Sequence, residues 1–274
     1  MASGADLLVD CACYTAADAR SLLPYLAEVG SSVMISSKAV YVDHMGRHVN
    51  SEDPPRFPGP IAESQPTVAP AGGDFRTRAG YAPNKVAAEQ VLLDSGAAVT
   101  VVRASKIHGP GSLRPREWVF VKRILDRRPA VFLAHRGQGI DHTSAAANLA
   151  ALIERVAELP GRRILNGADP DAPSALGIAR TVAGHLGHSW EEILLSDRDD
   201  LLGSHPWQAP FPIVLDTGAA ADLGYVAVGD YASTVTAEID WLVSQPHEAP
   251  SSSDPFFAPF LDYAAEDRYL DAIA

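Results

Sequence analysis

The chain has 274 residues, of which 47% are hydrophobic and 20% are charged, and its formal net charge is −12. This length and apolar content exclude a largely disordered chain and fit one large α/β domain, or a main domain with a smaller lobe. The acidic charge argues against nucleic-acid binding through a basic surface. The sequence has no apolar run of about 18 residues, which a membrane-spanning helix needs, no signal-peptide pattern and only two cysteines, so we expect a cytoplasmic protein.

The first hundred residues alternate between strand and helix patterns. In chain order these are a strand at 5–13, a helix at 14–30 ending at Gly30, a strand at 31–42, a helix at 79–96 closed by Gly96, and a strand at 98–102. A Pro-rich loop of nearly forty residues precedes the second helix. A loop of that length in a compact domain indicates either a functional excursion or disorder.

The alternation continues through the second half of the chain. The patterns predict a helix at 117–128, a strand at 130–134, a helix at 144–159, a strand at 162–168, a helix at 174–187, a strand within 190–197, helical patches near 217–224 and 231–243, and a last helix after a linker at 244–255. Strands that alternate with helices predict parallel βαβ units.

The sharpest chemical signal is Tyr81, which is followed four residues later by Lys85 near the start of a helix. This spacing puts both side chains on one helix face. A neighbouring ammonium favours phenolate over phenol, so we expect the pKa of Tyr81 to fall and the phenol to exchange protons. Taken alone, the pattern is also compatible with an ordinary surface pair of Tyr and Lys.

The surrounding segments make the pattern specific. ISSKAVYV, a helix that opens with GYAPNK and continues VAAEQVLL, and the strand TVVRASKIHGPG resemble the extended short-chain dehydrogenases/reductases, the NAD-dependent epimerases, dehydratases and reductases. The positions that match the family pattern are Ser37, Tyr81, Lys85, Glu89, Arg103, Gly109 and Pro110. The resemblance covers roughly residues 5–243. It implies a truncated doubly wound, Rossmann-like parallel sheet with a small mixed C-terminal substrate lobe.

The resemblance also implies an activity. Tyr81 would be the general acid/base, Lys85 would lower its pKa and hydrogen-bond the nicotinamide ribose, and Ser37 would hold a substrate hydroxyl or carbonyl oxygen. The chain would then be an NAD(P)-dependent reductase, epimerase or dehydratase that acts on a carbonyl or secondary alcohol of a small, sugar-like molecule.

Further contacts follow from the same resemblance. Contacts with NAD or NADP fall on Cys11, Ala12, Ser36, Lys85, Arg103 and Ser105. Contacts with the substrate fall on Ser37, Lys106 and His108. Ser36 has an alternative reading, because neighbours on a strand face opposite sides and Ser36 would then face away from Ser37.

The chain also departs from the family. The family begins with a strand and a glycine-rich GxxGxxG turn that holds the pyrophosphate at a helix N-terminus, whereas this sequence enters the pattern at the fourth strand. About sixty residues are missing, judged from the span of two βα units. The family usually has Asn where Lys106 stands. Three hypotheses stay open: an enzyme with a weak or incomplete dinucleotide site, a non-catalytic remnant, and a natural protein that starts upstream of Met1.

The predicted domains follow from this alignment. Residues 1–112 and 141–168 would form the Rossmann-like domain, 113–140 and 169–243 the substrate-binding lobe, and 244–274 a linker and a C-terminal helix. The strand at 5–13 would be an exposed sheet edge. We therefore expect homo-oligomerisation through this edge, cover by the C-terminal helix, or aggregation.

We expect no metal site. His185 and His188 lie one helical turn apart, but no Cys or carboxylate stands beside them at ligand spacing. Cys11 and Cys13 would share one face of the first strand and pack as small apolar residues.

Overall fold

The structure is a computed structural model that describes residues 4–196, 201–244, 250 and 254–273. The strands are β1 (Ala5–Asp10), β2 (Val29–Ser37), β3 (Val99–Ala104), β4 (Lys106–His108), β5 (Ala130–Leu133), β6 (Thr143–Ala145), β7 (Arg163–Gly167) and β8 (Glu191–Leu194). The helices are α1 (Ala16–Leu26), α2 (Arg78–Leu93), α3 (Trp118–Leu125), α4 (Ala146–Glu158), α5 (Ala175–His185), α6 (Gly218–Asp222), α7 (Tyr231–Thr234), α8 (Thr236–Ser244) and α9 (Tyr263–Ile273).

The chain divides into two compact units. The first unit holds the residues up to Ile107, together with His142–Pro170 and Ile213–Val228. The second unit holds His108–Asp141, Asp171–Pro212 and the residues from Gly229 onward. The segment 213–228, which the sequence placed in the substrate lobe, thus belongs to the first unit. The assignment of a nucleotide domain and a substrate lobe stays a prediction.

A four-stranded parallel sheet with the order β1-β2-β3-β7 forms the centre of the first unit. Its strands alternate in sequence with helices, so the predicted parallel α/β architecture is confirmed. Met34 of β2 and Val101 of β3 pack with α1 and α2 in one core cluster. Their neighbours Val33, Ile35 and Val102 pack with α4 in another cluster. Because successive side chains on a strand point to opposite faces, this alternation shows that helices cover both faces of the sheet.

Two details of the first unit differ from the sequence expectations. Gly30 does not end α1, because α1 stops at Leu26 and Gly30 already lies in β2, which pairs with β1 from Val29 onward. Cys11 and Cys13 do not share a strand face, because β1 ends before them, and Cys11 is exposed while Cys13 is buried.

The Pro-rich loop between β2 and α2 is an ordered part of the first unit. The carboxylate of Asp43 accepts three backbone N–H bonds from later residues of the loop. Ile61 forms a parallel bridge with Leu215, and Glu63 accepts a hydrogen bond from the backbone of Asn166 in β7. Of the two alternatives for a long loop, the structure thus favours a packed excursion.

The second unit combines the parallel pair β5 and β8 with several helices. Its main core cluster contains residues of α3, α5, α7 and α8, with Trp207 and Phe257 fully buried. The expected C-terminal helix is present as α9. Glu266 of α9 forms a buried ion pair with Arg123 of α3 at 2.5 Å, and Tyr269 packs edge-on against Phe132 of β5.

Cover of β1 by the C-terminal segment stays a prediction. The aromatic residues and Glu266 of that segment are already packed against α3 and β5 of the second unit. Most of the expected linker, residues 245–249 and 251–253, lies outside the described residues.

The short strands β4 and β6 form a two-stranded sheet of their own, which the sequence patterns did not predict.

Over the described ranges, no helix is long and apolar enough to cross a membrane.

Candidate active site

The expected catalytic residues lie where β2 ends and α2 begins. Ser37 is the last residue of β2, and its Oγ accepts a hydrogen bond from the Ala39 backbone at 3.2 Å. Thr77 caps α2 by accepting the Gly80 N–H at 3.0 Å, so the helix starts just before Tyr81. Tyr81 therefore occupies the first turn of α2, and Lys85 follows one turn later on the same face.

Tyr81 is half-buried, and its phenol lies near the Ser37 hydroxyl. Burial raises the pKa of Tyr81 because it disfavours the phenolate, and the nearby Tyr14 adds to this effect. The Ser37 hydroxyl acts in the opposite direction and lowers the pKa, since it would stabilise the phenolate. The structure thus brings together Ser37 and Tyr81, the two residues that the sequence assigned to the reacting oxygen.

Lys85 is fastened to the segment after β1 and to β2. Its Nζ donates to the carbonyl oxygens of Cys13, at 2.7 Å, and of Ile35, at 3.0 Å. The ammonium also lies over the ring of Tyr14, 4.6 Å from the centroid. Burial lowers the pKa of Lys85, and the surrounding acidic groups, Asp10 among them, partly oppose that shift.

The electrostatic relation between Tyr81 and Lys85 differs from the expectation. We expected the ammonium to lower the pKa of Tyr81, but that pKa is raised, and the groups that shift it besides burial are Ser37 and Tyr14. The reason is that the ammonium is directed to two backbone carbonyls and the Tyr14 ring rather than to the phenol. At neutral pH, the Tyr81 phenol therefore stays protonated.

Aromatic rings lie beside Tyr81 and Lys85. Tyr14 stacks on Phe75 with centroids 4.9 Å apart, and it lies 6.4 Å from the ring of Tyr81. Tyr14 and Phe75 were not singled out in the sequence, because they come from the β1–α1 turn and from the Pro-rich loop. Only the tertiary fold brings them together.

Ser36 and Arg103 belong to a buried cluster around Glu89 of α2. Ser36 Oγ donates to Glu89 Oε1 at 2.5 Å, and Arg103 contacts both carboxylate oxygens of Glu89, at 2.6 and 3.2 Å. Arg103 also lies over the ring of Tyr41, whose hydroxyl donates to Asn166 at 2.6 Å. These side chains tie α2 to β2, β3 and β7. Ser36 faces away from Ser37, as the strand alternation predicted, and its contact with a cofactor stays a prediction.

The segment after β1 supplies the other expected cofactor contacts. Cys11 is exposed, and the Ala12 N–H donates to Asp10 at 2.7 Å. Burial raises the pKa of the Cys13 thiol to about 12, so this thiol stays protonated. Because β1 and β2 are parallel, their carboxyl ends meet at the same sheet edge, where Ser37 also lies.

The residues after Arg103 lie in two different units. Ser105 and Lys106 lie in the first unit, where the Ser105 hydroxyl and the Lys106 N–H both donate to the carbonyl oxygen of His142. His108 belongs to the second unit, where its buried ring lies 5.1 Å from that of Tyr231. The substrate contacts of Lys106 and His108 stay predictions.

The residues at this edge fit the nicotinamide end of a dinucleotide. An ammonium has three N–H donors, and the two carbonyls take two of those of Lys85, so one donor remains for a ribose hydroxyl. The pyrophosphate end has a poorer match, because the turn CACYT between β1 and α1 contains no glycine. Thr15 and Asp18 instead close the N-terminus of α1 with a reciprocal capping box.

Comparisons with known proteins rest on structure. No model of a protein family matches the chain, and no curated protein matches it. UDP-glucuronic acid 4-epimerase from Bacillus cereus, solved in complex with NAD, superposes with a TM-score of 0.60 and 15% identity, over 83% of this chain and 66% of the epimerase. dTDP-glucose 4,6-dehydratase from Bacillus anthracis, also in complex with NAD, gives a TM-score of 0.62 and 13% identity, over 88% of this chain and 73% of the dehydratase.

A third similar structure is UDP-N-acetylglucosamine 4-epimerase from Methanobrevibacter ruminantium, in complex with UDP-N-acetylmuramic acid. Its TM-score is 0.61 at 16% identity, over 84% of this chain and 68% of the epimerase. The fold is that of the extended short-chain dehydrogenases/reductases. The resemblance in sequence had implied this fold. The chain spans about two thirds of the length of the structures that it matches.

The buried Glu89–Arg103 pair generates a stability prediction. We expect Glu89→Gln to lower the free energy of unfolding by about 3–5 kcal/mol, because it leaves the Arg103 guanidinium buried without a counter-charge. Urea denaturation followed by circular dichroism measures this loss. The matched control is Glu158→Gln on α4, which breaks an exposed pair with Arg155 and should cost about 0–1 kcal/mol. Equal losses in the two variants would contradict the anchoring role of Glu89.

Proposed function

We propose that this chain provides the acid–base residues of an NAD(P)-dependent oxidoreductase of the epimerase/dehydratase kind. The observation that carries the proposal is the closeness of Ser37 and Tyr81 at the carboxyl end of β2, with Lys85 one helical turn further on. The reacting group would be a carbonyl or a secondary alcohol. The carboxyl ends of parallel strands are where open α/β sheets bind their ligands, which supports a site at this edge.

Tyr81 moves the proton in this proposal. In the reductive direction a bound dinucleotide would supply the hydride for the carbonyl carbon, and Tyr81 would donate its proton to the carbonyl oxygen, which becomes the alcohol oxygen. Ser37 holds the same oxygen by its hydroxyl. In the oxidative direction Tyr81 takes the alcohol proton, which requires the phenolate. The raised pKa of Tyr81 therefore favours the reductive direction at neutral pH.

Lys85 positions the site and contacts the cofactor. Its two carbonyl bonds join the segment after β1 to β2, so the backbone near Ser37 is held in place. Its remaining N–H would bind a ribose hydroxyl of NAD or NADP. Cys11, Ala12 and Ser105 would line the nicotinamide side, and Lys106 the substrate side. A sugar-like substrate is the class we propose, since the similar structures are epimerases and dehydratases of nucleotide sugars.

A second candidate function is non-catalytic binding. It is favoured by the commitment of the Lys85 ammonium to two backbone carbonyls and to the Tyr14 ring, which makes this lysine a structural residue without any cofactor. On this alternative the chain keeps the Ser37–Tyr81 pair as a packing feature. The enzyme assays below separate the two candidates.

Replacement of Tyr81 tests the enzyme proposal. We expect Tyr81→Phe to lower turnover by about 10²–10⁴-fold with the fold intact, because the ring still packs and only the proton carrier is lost. Turnover is followed by NAD(P)H absorbance for net oxidation or reduction, and by chromatography of the sugar nucleotides for the redox-neutral epimerase and dehydratase reactions. The probes are UDP-glucuronic acid, UDP-N-acetylglucosamine and dTDP-glucose at saturating dinucleotide. Tyr25→Phe, at a ring that is 56% exposed, is the control and should leave the rate unchanged.

The pH profile is a second readout of the same variant. Because the pKa of Tyr81 is raised, alcohol oxidation by the wild type should gain about tenfold per pH unit up to that pKa, whereas carbonyl reduction should stay level until the phenol ionises. Tyr81→Phe should remove this dependence. Wild-type kcat in Tyr81→Phe would refute the acid–base role, and the absence of turnover in the wild type with every probe would favour the non-catalytic candidate.

Dinucleotide affinity is a separate prediction. We expect weak binding of NAD⁺, NADH, NADP⁺ and NADPH by this chain, because backbone donors of a glycine-rich turn supply much of the grip on a pyrophosphate and the sequence has no such turn. Isothermal titration calorimetry on the full chain measures the affinity, and Lys85→Met should weaken it further. A dissociation constant in the low micromolar range would show that other residues hold the pyrophosphate.

We also propose that the chain forms homo-oligomers through β1. In the part of the chain that the structure describes, β1 pairs only with β2, so its outer N–H and C=O groups face away from the sheet. Val9 on this strand is 40% exposed. Edge strands of this kind pair with other chains unless they are covered.

The two free cysteines are compatible with a reducing, cytoplasmic location, which we propose as well.

Light scattering tests the edge contact. We expect the full chain to be a dimer or larger, and Val9→Lys to shift it towards a monomer, because a charge on the edge opposes strand pairing. Val226→Lys is the control, since Val226 is 80% exposed and lies on no strand. A wild type that stays a monodisperse monomer at high concentration would overturn the proposed contact.

A further inference from the structure

Three buried polar side chains from separate elements meet inside the second unit. His108 ends β4, Glu117 directly precedes α3, and Glu238 lies on α8. Their exposed fractions are 2%, 1% and 0%. One potential ligand atom of each lies within 4.8 Å of those of the other two. The expected function uses neither glutamate, and the sequence gave no reason to connect them.

Each glutamate has one oxygen that is held and one that receives no hydrogen bond. Tyr231 donates its hydroxyl to Glu117 Oε1 at 3.0 Å, and the Gly109 N–H donates to Glu238 Oε2 at 2.5 Å. Across the described ranges, no donor reaches Glu117 Oε2 or Glu238 Oε1. Buried polar atoms without a donor are rare, so these two oxygens need either a proton shared between them or a bound ligand.

The electrostatics of the pair point the same way. Burial and the neighbouring Glu117 raise the pKa of Glu238, because two carboxylates side by side in a dry interior repel each other. Arg116 offsets this repulsion in part. Either a proton shared between the two carboxyl groups or a bound cation would remove the remaining repulsion.

We propose that His108, Glu117 and Glu238 bind a divalent transition-metal ion, and that Zn²⁺ or Mn²⁺ suits the site. An imidazole nitrogen with two carboxylate oxygens is a donor set that such ions accept, whereas Mg²⁺ prefers oxygen ligands alone and keeps several waters. Tetrahedral zinc–ligand bonds of about 2.0–2.2 Å place the ligand atoms about 3.3–3.6 Å apart, so the three side chains, whose ligand atoms lie within 4.8 Å of one another, would move closer together around the ion.

The surroundings of the three residues support a built site. Tyr231 and the Gly109 N–H orient the two carboxylates through the oxygens that would not bind the ion, which is the arrangement that second partners of metal ligands usually adopt. The ion would join the end of β4 to the start of α3 and to α8. Loading should therefore stabilise the second unit, and this effect is independent of any oxidoreductase activity.

Metal titration of the full chain tests the proposal. The protein is first stripped with EDTA and dialysed, and then titrated with Zn²⁺, Mn²⁺ and Mg²⁺ by calorimetry and by thermal unfolding. We expect one Zn²⁺ or Mn²⁺ per chain, with a rise in the unfolding temperature, and no response to Mg²⁺. Co²⁺ in place of Zn²⁺ should give visible absorption bands that report nitrogen and oxygen ligands.

Three variants locate the ion. Glu238→Gln keeps the shape and removes a charged ligand, so affinity should fall at least about a hundredfold. Tyr231→Phe keeps the ring and removes only the orienting hydroxyl, and it should cost about 10–100-fold. His185→Asn removes a surface imidazole that is paired with Asp240 and should leave the affinity unchanged.

The same experiments can overturn the proposal. If the wild type binds neither Zn²⁺ nor Mn²⁺, or if Glu238→Gln and Tyr231→Phe bind as tightly as the wild type, the three residues are not a metal site. In that case the two glutamates share a proton, and Glu238→Gln should retain wild-type stability because an amide can donate to Glu117. Should Glu238→Gln fail to fold, Tyr231→Phe alone decides.

Discussion

The buried carboxylate of Glu89 is the contact on which the candidate active site depends. It binds Arg103 of β3 and Ser36 of β2, and it sits one turn beyond Lys85 on α2. A charge pair in a dry interior is costly unless its geometry is satisfied, so it permits few arrangements of the helix against the sheet. The position of Tyr81 relative to Ser37 then follows from the register of α2. In this way a pair that takes no part in chemistry sets the geometry of the residues that could.

Lys85 has a similar dual character. Its ammonium supports the backbone of Cys13 and Ile35, and so fastens the segment after β1 to β2, yet it retains one donor that points to no backbone carbonyl. The proposed cofactor contact would therefore use a different N–H group from the structural contacts. The raised pKa of Tyr81 shows the consequence, because an ammonium occupied in this way tunes the phenol less than the spacing alone suggests.

Much of the fold could be predicted from the sequence. The alternating Val-rich strands and helices predicted the parallel sheet, because both faces of β2 and β3 must be apolar when helices cover both sides. The motif around Ser37, Tyr81 and Lys85 predicted the local site, since a strand end and a helix start are set by short-range patterns. The prediction that α1 ends at Gly30 was wrong. The chain from Val29 onward pairs with β1, and this pairing outweighs the tendency of glycine to end a helix.

Tertiary contacts were beyond the reach of these patterns. Tyr14 and Phe75 lie far apart in sequence, on segments without periodicity, and only the packed loop makes them neighbours. Glu117 and Glu238 are harder still, because a glutamate next to apolar helix residues ordinarily indicates an exposed position, and both are buried here. A buried glutamate departs from the usual placement of charged residues at the surface, and it lowers the stability of the fold. Departures of this kind are expected at functional or strained sites. The balance of charge distinguishes the cluster around Glu89 from the cluster of Glu117 and Glu238. The charge of Glu89 is balanced by an arginine of its own chain, whereas Glu117 and Glu238 lie side by side and each keeps one oxygen that no described residue reaches with a hydrogen bond.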